Sequence, residues 1–148
     1  MHLHLQTPVK QHYQRILAAF EEDLFRALSP PFPRLNILRF DGSQPGDRIE
    51  VELVAGPLLR RWTSLITERE ITPQAAWFVD EGQELPAPLT FWRHQHLITH
   101  EGNHSLIHEV IEYKTGSKVV DALLYPFLYA QFKLRKPVYQ RIFGKPAA

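Results

Sequence analysis

Phe91-Trp92-Arg93-His94-Gln95-His96-Leu97-Ile98 is followed, after Thr99-His100-Glu101-Gly102-Asn103-His104-Ser105, by Leu106-Ile107-His108-Glu109-Val110-Ile111-Glu112-Tyr113. Both runs are rich in aromatic and β-branched residues, and Gly102-Asn103 between them has the composition of a two-residue hairpin loop. A hairpin closed at that loop sets Trp92 opposite Tyr113, His94 opposite Ile111, His96 opposite Glu109 and Ile98 opposite Ile107. These residues share one face, because alternate side chains on a strand point the same way. The other face carries Arg93 opposite Glu112, a cross-strand charge pair suited to water. A face holding two aromatics, two imidazoles, a carboxylate and three isoleucines has the composition of a pocket wall.

Upstream of the hairpin the pattern is strand after strand. Leu35 to Phe40 is closed by Asp41-Gly42. Arg48 to Leu53 alternates cleanly, with Ile49, Val51 and Leu53 inward and Arg48, Glu50 and Glu52 outward. Ala55-Gly56-Pro57 turns the chain into Leu58 to Thr67, where Trp62, Ser64 and Ile66 share one side. Ala75 to Asp80 follows Thr72-Pro73 and has Trp77 and Phe78 on opposite faces; Gly82 to Pro88 reads as a loop.

The N-terminal part differs. His2 to Gln6 alternates like a short first strand. Thr7 reads as an N-cap with Pro8 at the first helical position, opening a helix with Tyr13, Ile16, Leu17 and Phe20 inward. A second short helix is expected from about Glu21 to Leu28, with Leu24, Phe25 and Leu28 inward. Ser29-Pro30-Pro31-Phe32-Pro33 ends it. Beyond the hairpin, Ser117 caps a long helix reaching to about Phe143. Leu123, Leu124, Phe127, Leu128, Gln131, Phe132 and Arg135 form its inward stripe, and Pro126 and Pro137 are expected to bend it.

The bulk composition narrows the class. A chain of 148 residues, 44% hydrophobic and 22% charged, is a single soluble globular domain (1–148) by size and make-up. A net charge of +1 gives no case for nucleic acid. The absence of cysteine excludes disulfides, thiolate metal sites and thiol nucleophiles, and fits a reducing, cytoplasmic setting. No signal peptide is legible at the N-terminus. Val119 to Ala130 is interrupted by Asp121 and too short to span a bilayer.

A meander of six strands preceded by one strand and two short helices needs an apolar cover, which the long helix would supply. This order resembles that of the START/SRPBCC superfamily, the helix-grip fold of pollen-allergen-like proteins, lipid-transfer domains and polyketide cyclases. The resemblance is carried by Leu28-Ser29-Pro30-Pro31-Phe32, Arg61-Trp62 with Ile66, Phe78-Val79-Asp80, and Pro88-Leu89-Thr90-Phe91-Trp92-Arg93-His94-Gln95-His96. It is nearest to a bacterial branch described only as ligand-binding SRPBCC proteins. In that branch the stretch matching Glu109-Val110-Ile111-Glu112-Tyr113 often begins with Asp. The resemblance implies an α+β helix-grip fold, with a curved antiparallel sheet of about seven strands wrapped on a long C-terminal helix. A hydrophobic cavity would lie between the two. The resemblance implies no particular reaction.

The residues allow three kinds of chemistry. His94 and His96, two apart on one strand face, could join Glu109 as metal ligands, and His2 and His4 repeat the spacing beside His108. Neighbouring same-face residues on a flat hairpin do not converge, however, and no His-Glu-x-x-His signature is present, so neither metal nor cofactor is expected. A cross-strand His96–Glu109 pair could act as an acid–base couple in a cyclase- or isomerase-type enzyme. No nucleophile, oxyanion hole or phosphate loop accompanies it, and a non-enzymatic role is favoured. Binding of a small hydrophobic ligand (lipid-like, isoprenoid or polyketide-like) would use Trp62, Trp92, His94, His96, Glu109, Tyr113, Leu124, Phe127 and Leu128. The tail from Lys133 to Lys145 has five basic residues and no acids. It reads as a solvated basic face in preference to a membrane- or partner-binding one. A homodimer is left open.

Overall fold

The hairpin is β6 (Phe91–Glu101) and β7 (His104–Lys114), and its register is the expected one: Trp92 pairs with Tyr113, His94 with Ile111, His96 with Glu109 and Ile98 with Ile107. Glu101 pairs with His104, leaving Gly102-Asn103 as the two-residue loop. Gly102 has φ +70°, and among the described residues no non-glycine has positive φ. A positive angle at the first loop position alone is the signature of a II′ turn, whose twist suits a right-twisted hairpin.

The computed structural model describes residues 1–145. Around the hairpin lie β1 (His2–Val9), β2 (Arg34–Phe40), β3 (Arg48–Ala55), β4 (Leu58–Ile71) and β5 (Ala75–Glu84). All pair antiparallel in one seven-stranded sheet of order β1-β7-β6-β5-β4-β3-β2. Register shifts interrupt β2 between Ile37 and Arg39, and β4 on both sides of Ser64–Ile66. Such bulges bend strands and increase twist, which curls a sheet into a trough. Two short helices, α1 (Tyr13–Ala18) and α2 (Glu22–Leu28), follow β1, and α3 (Lys118–Lys133) and α4 (Arg135–Phe143) close the chain.

Several boundaries depart from expectation. Thr7 and Pro8 do not open a helix; they continue β1, opposite Ile107 and Leu106. Proline fits there because β1 is an edge strand, where one side of the backbone has no ladder partner. His12, not Thr7, stands at the N-cap of α1. Gly82 to Glu84 belong to β5 and not to a loop.

The long C-terminal helix is present, with its hydrogen-bond ladder interrupted at Leu134, which itself keeps helical angles (φ −64°, ψ −18°). Pro137 explains the interruption. It cannot donate to the carbonyl of Lys133, and its ring clashes with that turn, but in the first turn of α4 its missing N–H is no loss. Ser117 caps α3 as expected, its side chain accepting from the Val120 N–H. Asp121 ties the start of α3 to the end of β7, accepting from Thr115 N–H and Oγ1–H while its carbonyl accepts from Tyr113 O–H at 2.7 Å.

Two apolar clusters fill the trough. One joins α1 and α2 to α4 through Ile16, Leu17, Phe20, Leu24, Tyr139 and Phe143; the other joins Leu3, Trp92, Ile111 and Tyr113 to Leu128 of α3. The inward stripe on α3 is narrower than expected. Leu123 is 74% exposed, and Val119 and Phe127 are also exposed.

Candidate functional site

Between the two clusters lies a cavity of about 210 Å³. Its apolar lining comes from α2 (Phe25, Leu28), from β2 and β3 (Leu35, Ile49, Val51, Leu53), from Trp62 and Trp92, and from Phe127, Leu128 and Phe132 of α3. The polar residues on its wall are Ser64, Asp80, His94, His96, Gln131 and Arg135. A smaller lobe toward Phe20 and Phe78 shares Asp80, His96 and Arg135 with it.

The polar end is built on three adjacent strands. In the ladder His94 stands between Asp80 and Ile111, and His96 between Phe78 and Glu109. The hydrogen bonds do not follow these rungs. His94 Nε2 lies 2.5 Å from Glu109 Oε2, and His96 Nε2 lies 2.6 Å from Asp80 Oδ2. Both bonds run diagonally, one to each flanking strand, as the twist of the sheet permits. The His96–Glu109 couple expected from the hairpin register is therefore replaced by two other couples, His94–Glu109 and His96–Asp80. The imidazoles stack on each other, centroids 3.7 Å apart, and Phe78 covers the far face of His96 at 4.2 Å.

From above, α4 completes the cluster. Arg135 donates to Glu109 Oε1 at 3.1 Å, and Tyr139 O–H donates to the same oxygen at 2.6 Å. Arg135 also lies over the Phe132 ring, 4.7 Å from its centre. Arg135 and Tyr139 are four apart and so share one helix face. That spacing is the signal from which Tyr139 could have been found. Asp80 had a comparable signal, since Ala76, Phe78 and Asp80 alternate on the inward face of β5.

Burial and the neighbouring charges together set the protonation states. Burial alone would raise the pKa of Glu109, but Arg135 and then His94 hold it well below the ordinary carboxylate value. Asp80 behaves likewise: burial raises it, the hydrogen bond from His96 and the charges of its neighbours lower it, and the balance is downward. Burial, helped by His94, pushes His96 down to about 4, and Asp80 only partly opposes this. Tyr139 is raised well above its usual value by burial and by Glu109. At neutral pH both carboxylates are ionised and His96 is neutral. Asp80 can only accept, so the single proton of His96 sits on Nε2. His96 Nδ1 then carries a lone pair, and it is buried with no partner.

Of the residues expected to line a ligand site, Trp62, Trp92, His94, His96, Phe127 and Leu128 are on the cavity wall. Glu109 lies behind His94, with its carboxylate oxygens given to His94, Arg135 and Tyr139. Tyr113 is fully buried in the core, bonded to the start of α3, and Leu124 packs against that same cluster. Neither belongs to the cavity lining.

The set that comes closest to a metal site is Asp80, His94 and His96, whose ligand atoms lie within 4.8 Å of one another. In this structure His94 and His96 each have Nε2 bonded to a carboxylate, and Arg135 stands on the same wall. His4 and His108 bond each other at 2.9 Å on the outer side of the sheet, and His108 continues to Thr99. Arg93, opposite Glu112 in the ladder, reaches Glu68 and Glu81 instead.

No protein-family model matches the chain, and no curated protein matches it by sequence. Its fold nonetheless has clear counterparts among solved structures. A Thalictrum flavum norcoclaurine synthase point mutant, solved with a transition-state analogue, superposes with a TM-score of 0.62 at 17% identity, covering 90% of this chain and 92% of that one. Ara h 8.0201 gives 0.60 at 14% identity over 93% and 96%. The di-domain ARO/CYC protein BexL of the BE-7585A biosynthetic pathway gives 0.60 at 14% over 92% of this chain. The chain spans 45% of BexL. At these identities the likeness is one of fold alone: the chain has the helix-grip architecture, with a curved seven-stranded sheet, two short helices after the first strand and a C-terminal helical segment. Within that class, no helix among the described residues is long and apolar enough to cross a membrane.

Proposed function

We propose that this chain binds a small, largely apolar molecule in the cavity between its sheet and α3. One observation carries the proposal: apolar side chains from both layers leave about 210 Å³ unfilled, with a cluster of placed polar groups at one end. Mostly apolar walls with a few convergent polar groups are the usual make-up of small-molecule sites, whereas cores built only for stability are packed to the density of organic crystals. The helix-grip neighbours include synthases and ARO/CYC proteins, but fold alone transfers no activity.

Native mass spectrometry of freshly purified protein, followed by organic extraction, tests this reading. A co-purifying or added apolar compound is expected in the wild type and lost in Val51→Trp, which fills the cavity from β3. Retention of the compound by a folded Val51→Trp protein would place it elsewhere and refute the proposal.

A second reading is favoured by the Asp80–His96 couple. A carboxylate fixing the tautomer of a neutral imidazole is the arrangement of a general base. Here His96 would exchange a proton with a carbonyl compound in the cavity, and Asp80 takes the place expected of Glu109. Under that reading Asp80→Asn retains ligand binding and loses turnover; equal turnover in both proteins excludes it.

A further inference from the structure

Asp80 differs from the other charged groups around the cavity in what the protein leaves undone for it. It stands on the inward face of β5 and lines both the main cavity and the smaller lobe. Its partner on β4 is Ile66, beside a bulge at which Thr67 drops out of the ladder. Bulges of this kind re-aim side chains and are common next to sites. The protein uses one of its two carboxylate oxygens. Oδ2 accepts from His96 at 2.6 Å and has His94 Nδ1 at 3.7 Å, beyond hydrogen-bond distance. Among the described residues no donor reaches Oδ1, and this oxygen is not sealed in. The unpartnered side-chain atoms closed to solvent are His96 Nδ1 and Gln131 Oε1. Asp80 is 8% exposed as a residue and 12% exposed over its side chain, so the open surface belongs to the side chain. On the inward face of β5 that surface opens into the cavity.

The charge of Asp80 is unmatched as well. Glu109 and Arg135 offset each other at 3.1 Å. Asp80 is ionised, yet among the described residues no lysine or arginine nitrogen lies within 4 Å of it. Its hydrogen-bond partner His96 is neutral at pH 7, since burial and His94 hold that imidazole down to about 4. A buried carboxylate without a cation is costly, and native structures seldom keep one without a reason. The rest of the wall, with Ile49, Val51, Trp62, Trp92 and Phe132, is apolar.

Resting on the cavity-binding reading, we infer that the cavity takes an organic amine in its ammonium form, an apolar body carrying one N–H donor group that bonds Asp80 Oδ1. An ammonium supplies both missing elements, a hydrogen for the free oxygen and a positive charge for the carboxylate. A neutral alcohol of the same size supplies the first alone, and a carboxylate supplies neither.

Isothermal titration calorimetry at neutral pH with 2-naphthylmethylamine, 2-naphthylmethanol and 2-naphthoate tests the inference, since the three share one ring body. The amine is expected to bind about tenfold tighter than the alcohol, with naphthoate weakest. Amine binding should be lost in Val51→Trp, which fills the cavity. In Asp80→Asn, which keeps an oxygen for the His96 N–H, the alcohol should bind as before and the amine should lose its advantage. If that variant fails to fold, the order in the wild type still decides. Alcohol or naphthoate binding as tightly as the amine would overturn the inference and leave the cavity reading standing. So would an amine that keeps its advantage in folded Asp80→Asn, or that still binds folded Val51→Trp while the alcohol does not. Failure of all three to bind would remove the cavity reading and this inference together.

Discussion

His96 stands directly opposite Glu109 in the β6–β7 ladder, yet its Nε2 bonds Asp80 on the other side, 2.6 Å away, while Glu109 is taken by His94. The crossing exchanges partners between two imidazoles and two carboxylates. It leaves Glu109 as the hub of the helix–sheet contact and gives His96 to the cavity. Each role has a measurable consequence.

Glu109 is 3% exposed and accepts from His94, Arg135 and Tyr139. Removing it strands a buried guanidinium, a loss of about 3–5 kcal/mol. Tyr139→Phe removes one hydrogen bond to a charged acceptor and should cost about 1.5–3 kcal/mol. Urea unfolding of Glu109→Ala, Tyr139→Phe and the double variant should show strong coupling, with Tyr139→Phe nearly neutral once Glu109 is gone. Simple additivity would mean that the contact holds nothing together.

The depressed pKa of His96 makes stability depend on pH. In the unfolded chain this imidazole takes up a proton near 6.5, but in the fold not until about 4. Between those values the unfolded state binds more protons, so stability falls as pH drops through the window and is flat above it. The full loss is of the order of 3 kcal/mol. His108, also lowered by burial, adds in the same direction. Asp80 and Glu109, whose pKa values are lowered, lose their contribution only at more acid pH. Urea melts from about pH 8 to about pH 4.5 should show the decline in the wild type and a shallower one in His96→Phe. An equal slope in both proteins would assign the decline to other groups.

The hairpin loop makes a sharper prediction about its two residues. Gly102 has φ +70°, and apart from its own chain neighbours nothing lies within 4 Å of the point a Cβ would occupy, so Gly102→Ala meets backbone strain alone. The cost should be about 1–2 kcal/mol. Asn103 has no positive φ, and Asn103→Ala should stay within about 0.5 kcal/mol. Equal costs at the two positions would indicate a I′ turn in place of II′. Thermal unfolding of the two variants decides it.

What the sequence determined by itself is local or strictly periodic. Alternation over Arg48 to Leu53, the Gly102-Asn103 loop and the Ser117 cap are each set by neighbours a few residues away. They give the strands, the hairpin register and the start of α3. A loop of two residues leaves the hairpin one register, which is why the shared face of Trp92, His94, His96 and Glu109 can be read from the chain. Thr7-Pro8 misleads because an edge strand tolerates proline, and being at an edge is a property of the whole sheet.

The site itself was decided by tertiary structure. Asp80 reaches His96 from β5 because the sheet twists, and Arg135 and Tyr139 reach Glu109 from one face of α4. Which carboxylate serves which imidazole depends on diagonal distances of a few ångströms across three strands. No pattern along the chain encodes those distances. The same holds for the unpartnered acceptors of His96 and Gln131: whether a polar atom is satisfied is known only when every neighbour is in place.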